Sequence, residues 1–319
     1  MTAGTDRTGR ISVAVCTRNR PALLGRCLES LAGLRPAPLE VLVVDQSDGD
    51  ESARIVQDAT SRVPRLRRLA TPTRGLSRAR NAALGEANGE IVAFTDDDCL
   101  VPADWVGRVA LAFERHPETA AVTGGSLPDP AWKPGRRILA ATTWHPPEAR
   151  LFRRKVDPSR VGGGLNLSIR KSWAARAGMF DPDLGPGGRF RGADDTDFIH
   201  RVLKAGGAIL YDPDVIVFHL GWRDDEDQTA VEFEYGHGIA AWALKMAAQG
   251  DFFPMGIALQ VFASQGRRAL GGILRRDRVA ARTGRAYLSG LGRGVVAWVL
   301  AKGDGSERHA FAPKGIPHG

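Results

Sequence analysis

Ile91-Val-Ala-Phe-Thr-Asp-Asp-Asp98 passes from four apolar residues almost directly into three carboxylates. A short apolar run bounded by polar residues reads as a strand buried on both faces. The same signal recurs upstream: Ile11-Ser-Val-Ala-Val-Cys16 is one run and Leu39-Glu-Val-Leu-Val-Val-Asp45 another, with helical spacing over 21–34 between them. That is a β-α-β unit. The alternation continues with a polar helix over 50–63, a strand near 66–70 and a helix near 77–88. After Asp98, a helix over 105–116 is expected, with Pro102 in its first turn, where proline is tolerated. Strands alternating with helices imply an α/β fold with a Rossmann-like, mainly parallel sheet covered on both faces. Ligands of such sheets bind beyond the carboxyl ends of the strands, so Asp45 and Asp96 to Asp98 point into one crevice.

Further along, residues 127–160 are rich in proline and basic residues and read as an irregular excursion facing substrate. Order returns with Gly162-Gly-Gly-Leu-Asn-Leu-Ser-Ile169, a short helix over 172–177 and a Gly/Pro-rich loop over 183–192. A helix over 194–205 and a strand over 215–218 ending at His219 follow. Residues 1–10 are expected to be disordered, and 303–319 to form a flexible tail.

The 319 residues are 43% hydrophobic and 25% charged, which excludes a disordered or fibrous chain and leaves ample core. Cys16, Cys27 and Cys99 are odd in number and widely spaced, matching neither a disulfide framework nor a zinc site. A reducing cytoplasm is expected. The opening Met-Thr-Ala-Gly-Thr-Asp-Arg lacks the apolar core of a secretory signal, and the charge-free stretch 252–266 is too short to span a bilayer.

Between Arg267 and Lys302 stand nine basic residues against Asp277 alone, which equals the whole net charge of +8. The segment lacks an aromatic platform or a DNA-reading motif, so no nucleic-acid partner is expected. Leu270, Ile273, Leu274, Leu288, Leu291, Val295 and Val299 recur at three- and four-residue spacing, so residues 229–302 read as a basic amphipathic helical extension. Two readings stand: a peripheral contact with an anionic membrane, or a solvated helix packed on the main domain. Gly271, Gly272, Gly290, Gly292 and Gly294 count against the helix.

Carboxylates held as close as Asp96 and Asp98 repel, and a divalent cation with hard oxygen ligands relieves the repulsion. An Asp-x-Asp pair with diphosphate oxygens and water would complete the set that Mg²⁺ or Mn²⁺ prefers. The competing reading is an acidic loop or helix N-terminus.

Five motifs then occur in order: the Ile11–Cys16 strand followed by Thr17-Arg-Asn-Arg20, Val43-Val-Asp45-Gln-Ser, Gly75-Leu-Ser-Arg-Ala-Arg80-Asn81, Gly89 to Asp98, and Gly192-Ala-Asp-Asp-Thr-Asp-Phe198. Over residues 11–222 the chain resembles glycosyltransferase family 2. The resemblance implies a GT-A fold in 11–228, with a nucleotide-sugar-binding half over 11–126 and an acceptor-side half over 127–228. It further implies a nucleotide-diphosphate-sugar donor, a glycan or lipid-linked acceptor, Mg²⁺ or Mn²⁺, and inversion at the anomeric carbon. Cell-wall or surface-polysaccharide synthesis is the family-level expectation, and docking at the inner face of the cell membrane is what the confined charge of the basic segment suggests.

By that resemblance, Asp45 contacts the nucleotide base and Thr17, Arg18 and Asn19 form the loop beneath it. Gln46 and Arg18 depart from the frequent family residues, which leaves the base open. Arg80 faces the nucleotide, or is a helix-surface arginine. Asp96 contacts ribose and Asp98 the metal, with Asp97 the variable middle residue. Asp194 and Asp195 match the family's Glu-Asp pair, whose second member is the general base; the competing role is helix capping. His219 is a third metal or diphosphate ligand, or a structural histidine. Trp222 stacks on a sugar or lies in the core. Tyr235-Gly-His237-Gly has no chemical partner in the sequence.

Other classes fit less well. A phosphatase would need Asp-x-Thr after its nucleophile, which Asp96-Asp-Asp-Cys-Leu lacks, and a nucleotidyltransferase a phosphate loop. A non-catalytic membrane scaffold would have no use for Asp96, Asp98 and Asp195.

Overall fold

The apolar strands β1 (Ile11–Thr17), β2 (Glu40–Asp45) and β4 (Ile91–Asp96) lie parallel, as is common for strands buried on both faces, and the more polar edge strand β3 (Leu66–Ala70) pairs parallel with β2. The computed structural model describes residues 8–129, 144–220 and 225–303. Among these, β5 (Cys99–Leu100), β6 (Thr119–Pro128), β7 (Arg150–Phe152), β8 (Asn166–Arg170) and β9 (Ala208–His219) complete one sheet of order β3-β2-β1-β4-β8-β6-β9-β5, with β7 paired to β9. β8 is antiparallel to both neighbours, while β6 and β9 are parallel to each other.

Period-two alternation sends neighbouring residues of each strand to opposite layers. Val13, Val15, Val41 and Val43 pack with Leu24, Leu28 and Leu31 of α1 (Pro21–Ala32), Val56 of α2 (Glu51–Ala59) and Val106 and Val109 of α4 (Trp105–Arg115). Ala14, Leu42, Val44 and Phe94 face the other way, onto Ala79 and Ala83 of α3 (Leu76–Glu86) and Ala174 of α5 (Lys171–Ala177). Phe198, Ile199 and Val202 of α6 (Asp194–Lys204) join this second layer. Both faces of the sheet are thereby covered, as the alternation predicted.

Two local expectations differ. Pro102 lies before α4 rather than inside it, its carbonyl accepting from Trp105 N at 3.0 Å. β9 starts seven residues earlier than the strand expected at Val215, because it runs through Asp212-Pro-Asp214 by a shift of register against β6. A bulge accommodates the proline and turn-forming residues that mask a strand in the sequence.

The described residues divide into two compact units, 8–129 with 144–180 and 198–220, and 181–197 with 225–303. The second contains α7 (Asp225–Ala248), α8 (Phe253–Leu274) and α9 (Arg278–Gly303). Several glycines that weakened the helical reading sit where these helices touch. A Cβ on Gly290 would lie 2.1 Å from Phe233 O, and one on Gly294 2.3 Å from His237 O. No described helix is long and apolar enough to cross a membrane.

Candidate active site

Backbone register brings the motif residues together. Thr17 pairs with Asp45 across β1 and β2, and Cys16 with Asp96 across β1 and β4, so three adjacent parallel strands end side by side in Asp45, Thr17 and Asp96. Beyond β4 the chain turns into β5, which runs antiparallel to the end of β9 with Cys99 opposite His219. Leu220 N donates to Asp98 O at 2.6 Å and clamps that turn. His219 Nε2 consequently lies 3.5 Å from Asp98 Oδ1, joining residues far apart in sequence.

The three carboxylates have different surroundings. Asp96 receives Arg80 at 3.2 Å; burial pushes its carboxyl up while the guanidinium opposes the shift. Arg80 is itself buried, with its charge 5.4 Å above the Phe180 ring. Gly164 leaves it room, since a Cβ there would come within 2.6 Å of both terminal nitrogens as they stand. Asp97 turns inward, accepting from Thr17 Oγ1 at 2.7 Å and from Arg20 at 3.1 Å, and burial pushes it up to about 6. Arg20 also donates to Asp98 Oδ2 at 3.3 Å. Sequence reasoning passed over Arg20; its signal is the close of Thr17-Arg-Asn-Arg20.

A second group surrounds Asp45, which is buried and accepts from Ser47 N at 2.8 Å and from Arg68 Nε at 2.8 Å. Arg68 is another residue the sequence left unmarked. Arg18 and Asn19 bind Asp48 Oδ2 at 3.2 and 2.9 Å, and Arg74 its other oxygen at 2.8 Å. The hydrogen bonds from Asn19 and Arg18, then Arg74, hold Asp48 below the usual carboxylate range. Asn19, in the left-handed region at φ 56°, returns a bond from Asp48 N to its Oδ1 at 2.9 Å. The loop after β1 is thus laced to the loop after β2.

Asp194 and Asp195 belong to the second unit, in the first turn of α6, where the helix dipole favours anions. Asp195 Oδ1 accepts from Thr196 N at 2.7 Å. Asp194 is buried against Gly185, φ 89°, where a Cβ would come within 2.6 Å of its carboxyl carbon. Trp222 lies outside the described residues.

Ligand atoms of Asp98, Cys99 and His219 lie within 4.8 Å of one another. Burial pushes the Cys99 thiol up, and sulfur is a soft donor that hard cations such as Mg²⁺ and Mn²⁺ do not favour. One carboxylate and one imidazole remain, a pair that suits Mn²⁺ or Mg²⁺ completed by phosphate oxygens.

Comparison with known proteins adds the family. The sequence profile described as Glycosyl transferase family 2 matches residues 12–177, more than half of the chain. The chain belongs to glycosyltransferase family 2. The match holds Thr17, Asp45, Arg80 and the Asp96–Asp98 triplet. This family 2 enzyme is 29% identical over 296 residues to the succinoglycan biosynthesis protein ExoM of Rhizobium meliloti (strain 1021), covering 82% of this chain and 88% of that protein. It is 24% identical over 222 residues to the glucosyl-dolichyl phosphate glucuronosyltransferase of Haloferax volcanii, covering 66% and 69%. Among solved structures, the mannosyltransferase PcManGT from Pyrobaculum calidifontis in complex with GDP-Man and Mn²⁺ superimposes with a TM-score of 0.55 at 19% identity, covering 93% of this chain and 88% of that one. S. aureus TarS 1–349 in complex with UDP-GlcNAc gives 0.53 at 17%, covering 93% and 92%. The fold is GT-A, and the protein is a glycosyltransferase.

Proposed function

We propose that the enzyme transfers a sugar from a nucleoside-diphosphate-sugar to a hydroxyl of a glycan or lipid-linked acceptor, with inversion and with a divalent cation at Asp98 and His219. The carrying observation is the 3.5 Å approach of His219 to Asp98, at the end of the strand that opens the acidic triplet. Neighbours solved with GDP-Man and Mn²⁺ and with UDP-GlcNAc support a nucleotide-sugar donor. The dolichyl-phosphate and succinoglycan names of relatives support a lipid-linked acceptor in polysaccharide assembly.

In this reading Asp45 accepts from the base edge. Arg80 offers its fork to the nucleotide, and Asp96 to ribose. The cation would supply charge neutralisation of the departing diphosphate. Asp195 takes the proton of the acceptor hydroxyl as that oxygen bonds to the anomeric carbon. The bond from that carbon to the diphosphate oxygen breaks on the opposite face, and its electron pair leaves with the nucleoside diphosphate. A carboxylate is a weak base for an alcohol, so firm placement at the helix start matters more than basicity.

The second unit suits the membrane surface that a lipid-linked acceptor requires. On α8, Leu259, Phe262, Leu270, Ile273 and Leu274 are exposed large apolar residues at helical spacing, continued by Phe252 at its N-cap, with Arg267 on the helix and Arg275, Arg276 and Arg278 following it. An apolar stripe flanked by cations complements an anionic bilayer and lies in its plane, here the cytoplasmic face.

Asp195→Asn tests the base directly. It should bind donor as the wild type does and lose transfer by two orders of magnitude or more; near-full transfer would sink the assignment.

A further inference from the structure

His237 stands in α7 within Tyr235-Gly-His-Gly238, a stretch the reaction leaves without a task. Its Nδ1 accepts from the backbone N–H of Arg191 at 3.3 Å. One turn earlier, Glu234 Oε1 takes the Arg191 guanidinium at 3.4 Å. Between those two contacts the loop backbone lies directly on α7. A Cβ on Gly192, φ 123°, would come within 2.9 Å of Glu234 O, and one on Gly238 within 2.4 Å of the Gly192 carbonyl carbon. Leu184, Phe190 and Ala193 of the same loop pack with Ala241, Trp242 and Met246 of α7. The residues that follow this gripped segment are Asp194 and Asp195.

We propose that His237 is a positioning residue: by holding Arg191 N it moors the loop on α7 and thereby sets where Asp195 presents its carboxylate. The inference rests on Asp195 being the base. The mooring needs Nδ1 as an acceptor, hence a neutral ring protonated at Nε2. A proton on Nδ1 would set two N–H donors against each other and release the loop. The charged groups around the ring are Arg191 from the loop, Arg293 from α9 and Glu234 on α7, the last paired with Arg191. Burial, then the positive charges of Arg191 and Arg293, hold His237 below the ordinary histidine value. At neutral pH the ring is an acceptor, and the mooring is lost as pH falls through that lowered value.

The test compares His237→Asn, whose side-chain oxygen replaces the Nδ1 acceptor and does not titrate, with His237→Leu, which has no acceptor. Transfer kinetics of the full chain are read across pH, with Asp195→Asn in parallel. His237→Leu should lower kcat about tenfold at unchanged donor KM, and His237→Asn should stay within about threefold of wild type. The wild type should lose kcat on the acid side, and in His237→Asn that loss should set in at lower pH. Wild-type kcat in His237→Leu, equal impairment of both variants, or an unchanged acid limb in His237→Asn would overturn the mooring while Asp195→Asn stays inactive. Transfer by Asp195→Asn would instead remove the base on which the inference stands.

Discussion

His219 Nε2 stands 3.5 Å from Asp98 Oδ1 because a two-residue strand, Cys99–Leu100, pairs antiparallel with the end of β9. The pair is held by backbone on both sides, which fixes the spacing on which the proposed cation site depends. Asp98→Asn and His219→Ala should each weaken Mn²⁺ binding by at least about tenfold to a hundredfold, which is what losing a ligand's outer hydrogen-bond partner already costs. Calorimetry with Mn²⁺ and nucleoside diphosphate reads this; wild-type affinity in either variant would exclude that residue as a ligand.

Gly164 is the space in which Arg80 lies. Gly164→Ala would drive a methyl into the guanidinium and separate it from Asp96, an overpacking worth about 1–3 kcal/mol. The expected outcome is a lower unfolding midpoint together with nucleoside-diphosphate affinity reduced about tenfold. Lost stability with unchanged affinity would make Arg80 structural.

Glycines in the helical unit should behave oppositely according to what a Cβ would meet. Gly290→Ala presses on Phe233 O and should cost about 1–3 kcal/mol. Gly292→Ala, with nothing within 4 Å, should stabilise by up to about 1 kcal/mol through helix propensity. Urea unfolding of the full chain measures both, and equal signs would contradict the crossings.

These helices also show where the sequence was hard to read. A helical glycine costs the same on paper whether it faces solvent, as Gly292 does, or a neighbouring backbone, as Gly290 does. Only the second kind is offset by closer packing, and spacing cannot tell them apart. β1, β2 and β4 were legible because strands buried on both faces are unbroken apolar runs. The first half of β9 was not, since Asp212-Pro-Asp214 imitates a turn. At the candidate site, Asp45 and the acidic triplet stood out by following apolar runs. Arg20 and Arg68 carried no role in the sequence, because their partners Asp97, Asp98 and Asp45 arrive through sheet pairing and turns rather than sequence proximity.

The exposed stripe of α8 predicts binding to vesicles containing phosphatidylglycerol at low salt, weakening as salt rises. Leu259→Glu with Phe262→Glu should abolish sedimentation with those vesicles and leave the fold intact. No sedimentation of the wild type at low salt, or equal binding to neutral phosphatidylcholine vesicles, would contradict an anionic-membrane partner.

Nucleoside-diphosphate release from a panel of UDP-, dTDP- and GDP-sugars, with Mn²⁺ and with chelator, tests the central claim most directly. Release from one donor, lost with chelator and in Asp98→Asn, is the expected result. Release indifferent to chelator, or no release together with no calorimetric binding of any donor, would contradict it.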